Sequence, residues 1–248
     1  MPPTVIIPWR SGDDHREAAL TRVKAWWTET HPTWNLRVGE WPSTVGGWRK
    51  SMAIVSAGHI PDDDVVIISD ADVICEQVDL AVDAINQGRH LWAMPHRTVI
   101  RLTETATTSV VDHSWWPANV NTQRQLQPFI IKSYAGYPGG GLVVLTGKVI
   151  NRVPMDPRFV GWGQEDHSWA LALFALAGAP WRGRGLLWHL WHPPSPRLYP
   201  GIGSNGGVQL WHRYRSATNY QSMKDLVAEA RDEITRLRDL SQPCEIIE

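Results

Sequence analysis

Cysteine is almost missing from this chain of 248 residues: Cys75 and Cys244 are the only two, too few for a disulfide framework or a thiolate zinc site. That scarcity fits a reducing compartment, so the cytoplasm is the expected location. No apolar run is long enough to span a bilayer, and the most apolar stretch, Trp169 to Pro180, predicts a core helix. Met1 to Arg10 lacks the basic segment and following apolar run of a signal peptide, so no membrane anchor is expected. An excess of one charge is lacking too, with 24 Lys and Arg against 25 Asp and Glu. Two nucleotide-binding signatures are also missing. Gly46-Gly47-Trp48-Arg49-Lys50-Ser51 approaches a phosphate loop but has no glycine before the lysine, and no Gly-x-Gly-x-x-Gly follows the first strand.

What the chain has instead is tryptophan, fifteen of them against three Phe and five Tyr. The indole is a large apolar plate with one N–H donor, suited to cores and to flat or sugar-like surfaces. At 43% hydrophobic and 20% charged residues the composition is that of a globular protein.

The first hundred residues alternate between short β-branched runs and helix-like stretches, which predicts an α/β fold with a parallel sheet and covering helices. Strands are expected at Thr4 to Trp9, Leu36 to Trp41, Val65 to Ser69, Leu91 to Pro95 and Leu142 to Leu145. Helices are expected at His15 to Trp27, Trp48 to Ala57, Leu80 to Gln87 and after His167. Residues 97–138 lose periodicity and are expected to be a variable, substrate-specific loop region. Pro200 to Gly207 predicts a flexible loop. Met223, Leu226, Val227, Ala230, Ile234 and Leu237 recur at helical spacing, so the tail, 216–248, predicts an amphipathic helix that packs on its own domain, pairs a homodimer or edges an acceptor site. The main domain is placed at 1–215.

Three constellations carry chemistry. Asp70-Ala71-Asp72 ends the apolar run VVIIS, where ligands bind in open α/β sheets, and a carboxylate pair there suits a hard divalent cation such as Mn²⁺ or Mg²⁺; the bland alternative is an acidic turn. Gly161-Trp162-Gly163-Gln164-Glu165-Asp166 brackets an indole with glycines and then sets two carboxylates at a helix start, fit for general-base work or for helix capping alone. Leu187-Trp188-His189-Leu190-Trp191-His192-Pro193 offers imidazoles either as metal ligands or as ordinary structural residues. From His167 to Lys224 there is no Asp or Glu, while Arg182, Arg184, Arg197, Arg213 and Arg215 fall in that stretch: a basic lobe suited to a diphosphate or a polyanionic acceptor such as DNA.

In this order, VIIPWR, the strand-terminal Asp-x-Asp, Gly-Gly-Gly-Leu-x-Val-Leu, Gly-Trp-Gly-x-Glu-Asp and His-Leu-Trp-His-Pro resemble the GT-A fold glycosyltransferases, over roughly residues 4 to 195. The likeness is to the branch holding β-1,4-galactosyltransferases, chondroitin-polymerase-type enzymes and polypeptide N-acetylgalactosaminyltransferases. It implies a GT-A mixed sheet flanked by helices and a metal-dependent transfer of a sugar from a nucleotide-diphosphate donor, UDP foremost. Pro8, Trp9 and Arg10 would line the nucleotide pocket, and Asp70 would face the ribose and metal side. Asp72 would ligate the metal, with His189 as further ligand and His192 as its substitute. Gly140 and Gly141 would let a sugar lie against backbone, and Arg49 and Lys50 would serve the base or pyrophosphate, unless they are a solvated basic turn. Trp162 would pack on the acceptor, Glu165 would bond a sugar hydroxyl and Asp166 would be the base of an inverting reaction. Trp115 and Trp116, in the loop region, are assigned to acceptor choice, and Glu40 is the candidate for the nucleobase. The acceptor is left open among protein, glycan and a hydroxymethylated DNA base, in a bacterial or phage-type enzyme. The rival reading is a Trp-rich carbohydrate- or nucleic-acid-binding protein without turnover.

Overall fold

The computed structural model describes residues 1–42, 47–114, 116, 127–193 and 204–241. The described strands are β1 (Thr4–Trp9), β2 (Asn35–Glu40), β3 (Val65–Ser69), β4 (Val73–Cys75), β5 (Trp92–Leu102), β6 (Ile130–Ala135), β7 (Leu142–Thr146) and β8 (Trp181–His189). The described helices are α1 (Asp14–Thr30), α2 (Lys50–Ser56), α3 (Val78–Asn86), α4 (Glu104–Val111), α5 (Gly147–Arg152), α6 (Glu165–Ala177), α7 (Ser204–Ser216) and α8 (Tyr220–Ser241). The strands form one mixed sheet in the order β2-β1-β3-β7-β5-β8-β4, with β6 added on β5. β1 runs parallel to β2 and β3, whereas β7 is antiparallel to both β3 and β5. The expected α/β class, with helices on the sheet and a C-terminal helix, is what is found.

Alternation along the strands divides the interior in two. Successive side chains point to opposite faces, so Val5, Ile7 and Trp9 join Val65 and Ile67 under α1, α3 and α4. Ile6, Val66 and Ile68 lie on the other face, against α5, α6, α7 and α8. A continuous apolar run such as VVIIS is therefore required, because both faces are covered. α1 begins where expected, with the Asp13 side chain accepting from the Arg16 amide at 3.1 Å. The stripe of α8 is spent on its own chain: Met223, Leu226 and Val227 enter the second core, and Ile234 and Leu237 pack with Trp41, Met52 and Ala53. No helix among the described residues is long and apolar enough to cross a membrane.

Three segments differ from expectation. Within 97–138, β5 continues to Leu102, α4 follows and β6 pairs back onto β5. The threonines of this stretch lie in α4 despite their low helix propensity, because Thr103 caps the helix by accepting from the Ala106 amide at 3.2 Å and its Ala106 and Val110 face is buried. β8 is not among the expected strands, and its first half carries two glycines, Gly183 and Gly185. A Cβ at Gly183 would stand 2.2 Å from the Pro95 carbonyl oxygen, so only glycine lets β8 lie this close to β5. Ser204 to Gly207, expected in a loop, form the first turn of α7; Pro200 to Gly203 lie outside the described residues.

Candidate active site

The end of β3 delivers Asp70 and Asp72 into a crevice closed by α2, the glycine-rich turn before β7, α6 and the end of β8. Each carboxylate has a different partner set. Lys50, the first residue of α2, is buried, and its Nζ lies 2.6 Å from Asp70 Oδ1 and 2.8 Å from Asp166 Oδ1. A cation at a helix N-terminus opposes the helix dipole at a cost of roughly 0.3–1 kcal/mol. Two short charge-assisted contacts outweigh that cost, at about 1.5–3 kcal/mol each. Burial disfavours the ammonium, yet Asp166, Asp70 and Glu165 together raise the Lys50 pKa above its usual value. Asp70 is pushed up to about 6, chiefly by burial, with Lys50 opposing and the neighbouring Asp166 and Asp72 charges reinforcing the rise.

Asp166 sits in the first turn of α6, where the dipole favours a carboxylate. Lys50 occupies its Oδ1, and its Oδ2 faces Gly140, where an added Cβ would stand 3.2 Å away. Gly139, at φ +84°, passes so close beneath that a Cβ would meet the Asp166 carbonyl oxygen at 2.3 Å. Asp70 is tied to the same turn, its amide donating to the Gly141 carbonyl at 2.8 Å. The loop entering α6 is strained: Gln164, a non-glycine residue, adopts φ 71° directly after two positive-φ glycines, Gly161 and Gly163. The buried Glu165 holds this loop, Oε2 accepting from the Gly163 amide at 2.7 Å. Its pKa rises to about 7, first from burial and then from the Asp166 charge, with Lys50 opposing.

Asp72 faces the histidines. β4 pairs antiparallel with β8, Val73 opposite His189, and the Leu190 amide donates to the Asp72 carbonyl at 2.8 Å. His192 Nε2 lies 3.1 Å from Asp72 Oδ2, and His189 Nε2 lies 4.0 Å from Oδ1. Each ring turns Nδ1 to a backbone carbonyl, Leu190 at 2.8 Å and Pro193 at 2.7 Å. At His189 that contact assigns the proton to Nδ1 and leaves the Nε2 lone pair facing the carboxylate; at His192 the donor Arg16 Nη2 also lies 3.1 Å from Nδ1, so Arg16 and the Pro193 carbonyl compete for that nitrogen. Three acceptors that converge in this way need a cation or a proton between them. Their ligand atoms lie within 4.8 Å of one another, so the residues present fit a divalent metal. Burial would raise the Asp72 pKa, but His189, His192 and Arg16 outweigh it and hold the group below the usual carboxylate range. Burial likewise works against protonated His192, but Asp72 wins and raises its pKa; at His189 burial prevails and lowers it.

Of the residues singled out in the sequence, the fold brings together Lys50, Asp70, Gly140, Gly141, Glu165 and Asp166 in one network, and Asp72, His189 and His192 in another. Both histidines join, not one as a substitute for the other. Lys50 is a buried partner of two carboxylates and not a solvated basic turn; Arg49 donates to the Pro157 carbonyl at 2.9 Å. Pro8 and Trp9 are buried in β1, and Trp9 presents its carbonyl to the Trp48 indole at 3.2 Å while its own ring lies in the core. Arg10 and Glu40 are exposed. Trp162 is 56% exposed. Trp116 is held elsewhere, its N–H donating to Glu76 at 2.9 Å beneath the Arg22 guanidinium, and Trp115 lies outside the described residues. Trp188 is core. The basic lobe is dispersed: Arg213 pairs with Glu229, Arg182 donates to the Gly136 carbonyl, and Arg197 lies outside the described residues. His167 and Tyr137, joined at 3.0 Å beside Asp166, were not singled out; a histidine directly after Glu-Asp was the signal available.

No protein-family model matches the chain, and no curated protein matches it. Among solved structures it is similar to glucosyl-3-phosphoglycerate synthase from Mycobacterium tuberculosis in complex with phosphoglyceric acid, at 15% identity over 86% of this chain and 79% of that one, with a TM-score of 0.47. It is also similar to a Drosophila β-1,4-galactosyltransferase 7 mutant in complex with manganese, UDP-Gal and xylobiose, at 12% identity over 74% and 64% of the two chains, with a TM-score of 0.38.

Proposed function

We propose that this protein is a divalent-metal-dependent glycosyltransferase that moves a sugar from a UDP-linked donor to an acceptor hydroxyl with inversion. The observation that carries the reading is the adjacency, at one strand end, of a three-ligand Asp72–His189–His192 cluster and a lysine-clamped Asp70–Asp166 pair. A passive binder needs neither. Two imidazoles with one carboxylate favour Mn²⁺ over Mg²⁺, which prefers oxygen and sheds water reluctantly. When bound, the cation supplies charge neutralisation for the diphosphate leaving group.

The chain's own residues do the rest. Asp166 takes the proton of the acceptor hydroxyl at Oδ2, the oxygen left free by Lys50 and kept open by Gly140. Lys50 holds that carboxylate in one orientation and balances Asp70 beside it. Glu165 fixes the loop that presents the exposed Trp162 to the acceptor. The acceptor attacks opposite the departing UDP, so the configuration inverts. The test is Mn²⁺-dependent release of UDP from UDP-glucose, UDP-galactose and UDP-N-acetylhexosamines by the purified protein, with mass spectrometry of protein, glycan and DNA from expressing cells to find the product. UDP release that Asp166→Asn abolishes supports the reading, and no release with any donor overturns it.

A further inference from the structure

Next to Asp166 lies a chain of side chains that the reaction above does not use. His167 follows Asp166 directly in α6. Its Nδ1 accepts from the Trp211 indole N–H at 3.0 Å, so the ring proton sits on Nε2, which donates to the Tyr137 hydroxyl oxygen at 3.0 Å. That leaves the Tyr137 O–H hydrogen directed outward. Burial and the nearby Arg215 both lower the His167 pKa, which keeps this arrangement neutral. The Tyr137 ring packs edge-on against His167 at 4.7 Å between centroids and is itself 53% exposed. One helical turn beyond Trp211, the Arg215 guanidinium lies over its indole at 4.7 Å.

This cluster is built and anchored. Tyr137 is fixed from behind, since the Gly136 amide donates to the Arg97 carbonyl at 2.8 Å and Arg182 donates to the Gly136 carbonyl. Trp211 and Arg215 belong to α7, outside the stretch of family resemblance. Arg215 forms no ion pair among the described residues, and its own helix and the one before it hold no acidic residue after Asp166. A guanidinium stacked on an indole keeps its N–H edge for a carboxylate or phosphate, while an exposed tyrosine ring offers a stacking face.

We infer that Tyr137, His167, Trp211 and Arg215 form the acceptor subsite and select an acceptor whose ring lies on Tyr137 and which carries an anionic group for Arg215. The inference takes the word acceptor from the transferase reading. Its chemistry is independent of that reading. A carboxylate and a phosphate monoester satisfy it equally, and two probe arms tell them apart.

The experiment titrates the full-length protein with 4-nitrophenyl β-D-glucuronide, with phenyl phosphate and with neutral 4-nitrophenyl β-D-glucoside, following tryptophan fluorescence and calorimetry at low ionic strength. At least one anionic probe is expected to bind about 10-fold more tightly than the neutral one, the size of one charge-assisted hydrogen bond. Which anion leads names the source. Arg215→Gln is expected to shrink the ratio to below about 2-fold, and Arg215→Lys to restore only part of it. Equal binding of anionic and neutral probes, a preference that survives Arg215→Gln, or no binding of any probe would each overturn the subsite. UDP binding with Mn²⁺, measured on the same sample, judges the transferase reading separately, because that reading rests on the Asp72 cluster and the Lys50-clamped carboxylates and not on Arg215.

Discussion

Asp70 and Asp72 leave the same strand two residues apart, yet they sit in opposite electrostatic states. Asp70 meets one ammonium and a crowd of carboxylates and is pushed up to about 6; Asp72 meets two imidazoles and an arginine and is held below the usual range. Side-chain alternation is not the cause, since both residues are on the same parity. The cause is which element arrives opposite each one. α2 brings a lysine to Asp70, and β8 brings histidines to Asp72. One strand end thus sets a lysine-clamped carboxylate pair beside a carboxylate–imidazole cluster.

The comparison breaks most severely at Asp72. Asp72→Ala should weaken Mn²⁺ binding by more than the roughly 10–100-fold that loss of a supporting partner costs, read by calorimetry or Mn²⁺ paramagnetic resonance, with the far-ultraviolet spectrum unchanged. His189→Ala should cost less in Mn²⁺ affinity and shift the preference toward Mg²⁺. On the other side, Lys50→Met strands two carboxylates. Their side chains keep 30% and 31% exposure, so the expected loss is about 3 kcal/mol, the low end for a broken buried pair, read by urea unfolding.

Glu165 sharpens the contrast through pH. Its folded pKa of about 7 exceeds the ordinary value of 4.5, so the folded state holds the extra proton and stability falls as pH rises between those values. Glu165→Gln should flatten that fall and add about 1–3 kcal/mol at pH above the window, while keeping an acceptor for the Gly163 amide. The smallest effect is expected at Gly140, whose φ a side chain tolerates. Gly140→Ala places a methyl beside Asp166 Oδ2 and should lower kcat about 10-fold, with less than about 1 kcal/mol of stability lost. An unchanged kcat would remove Oδ2 as the reacting oxygen.

Much of the framework was legible because strand burial leaves a local mark. VVIIS had to be covered on both faces, and the carboxylates after it had to lie in the crevice at the strand end. The first turn of α6 was legible for the same reason, as two glycines and two carboxylates before an apolar helix. β8 was not legible, since its glycines answer to the Pro95 carbonyl and not to their own neighbours. Tryptophan misled in part: Trp9 and Trp188 carry motif positions but fill the core, whereas Trp211, never singled out, holds the histidine next to Asp166.

The sequence by itself determined the α/β alternation, the buried central strand and the residue types at the site, because periodicity and strand-end chemistry are local properties of the chain. Tertiary structure decided the pairing: Lys50 with Asp70 and Asp166, Asp72 with both histidines, Tyr137 with His167 and Trp211. Those partners lie far apart in the chain. The register of β4 on β8, the approach of α2 and α6 to one turn, and the packing of α7 on α6 bring them together.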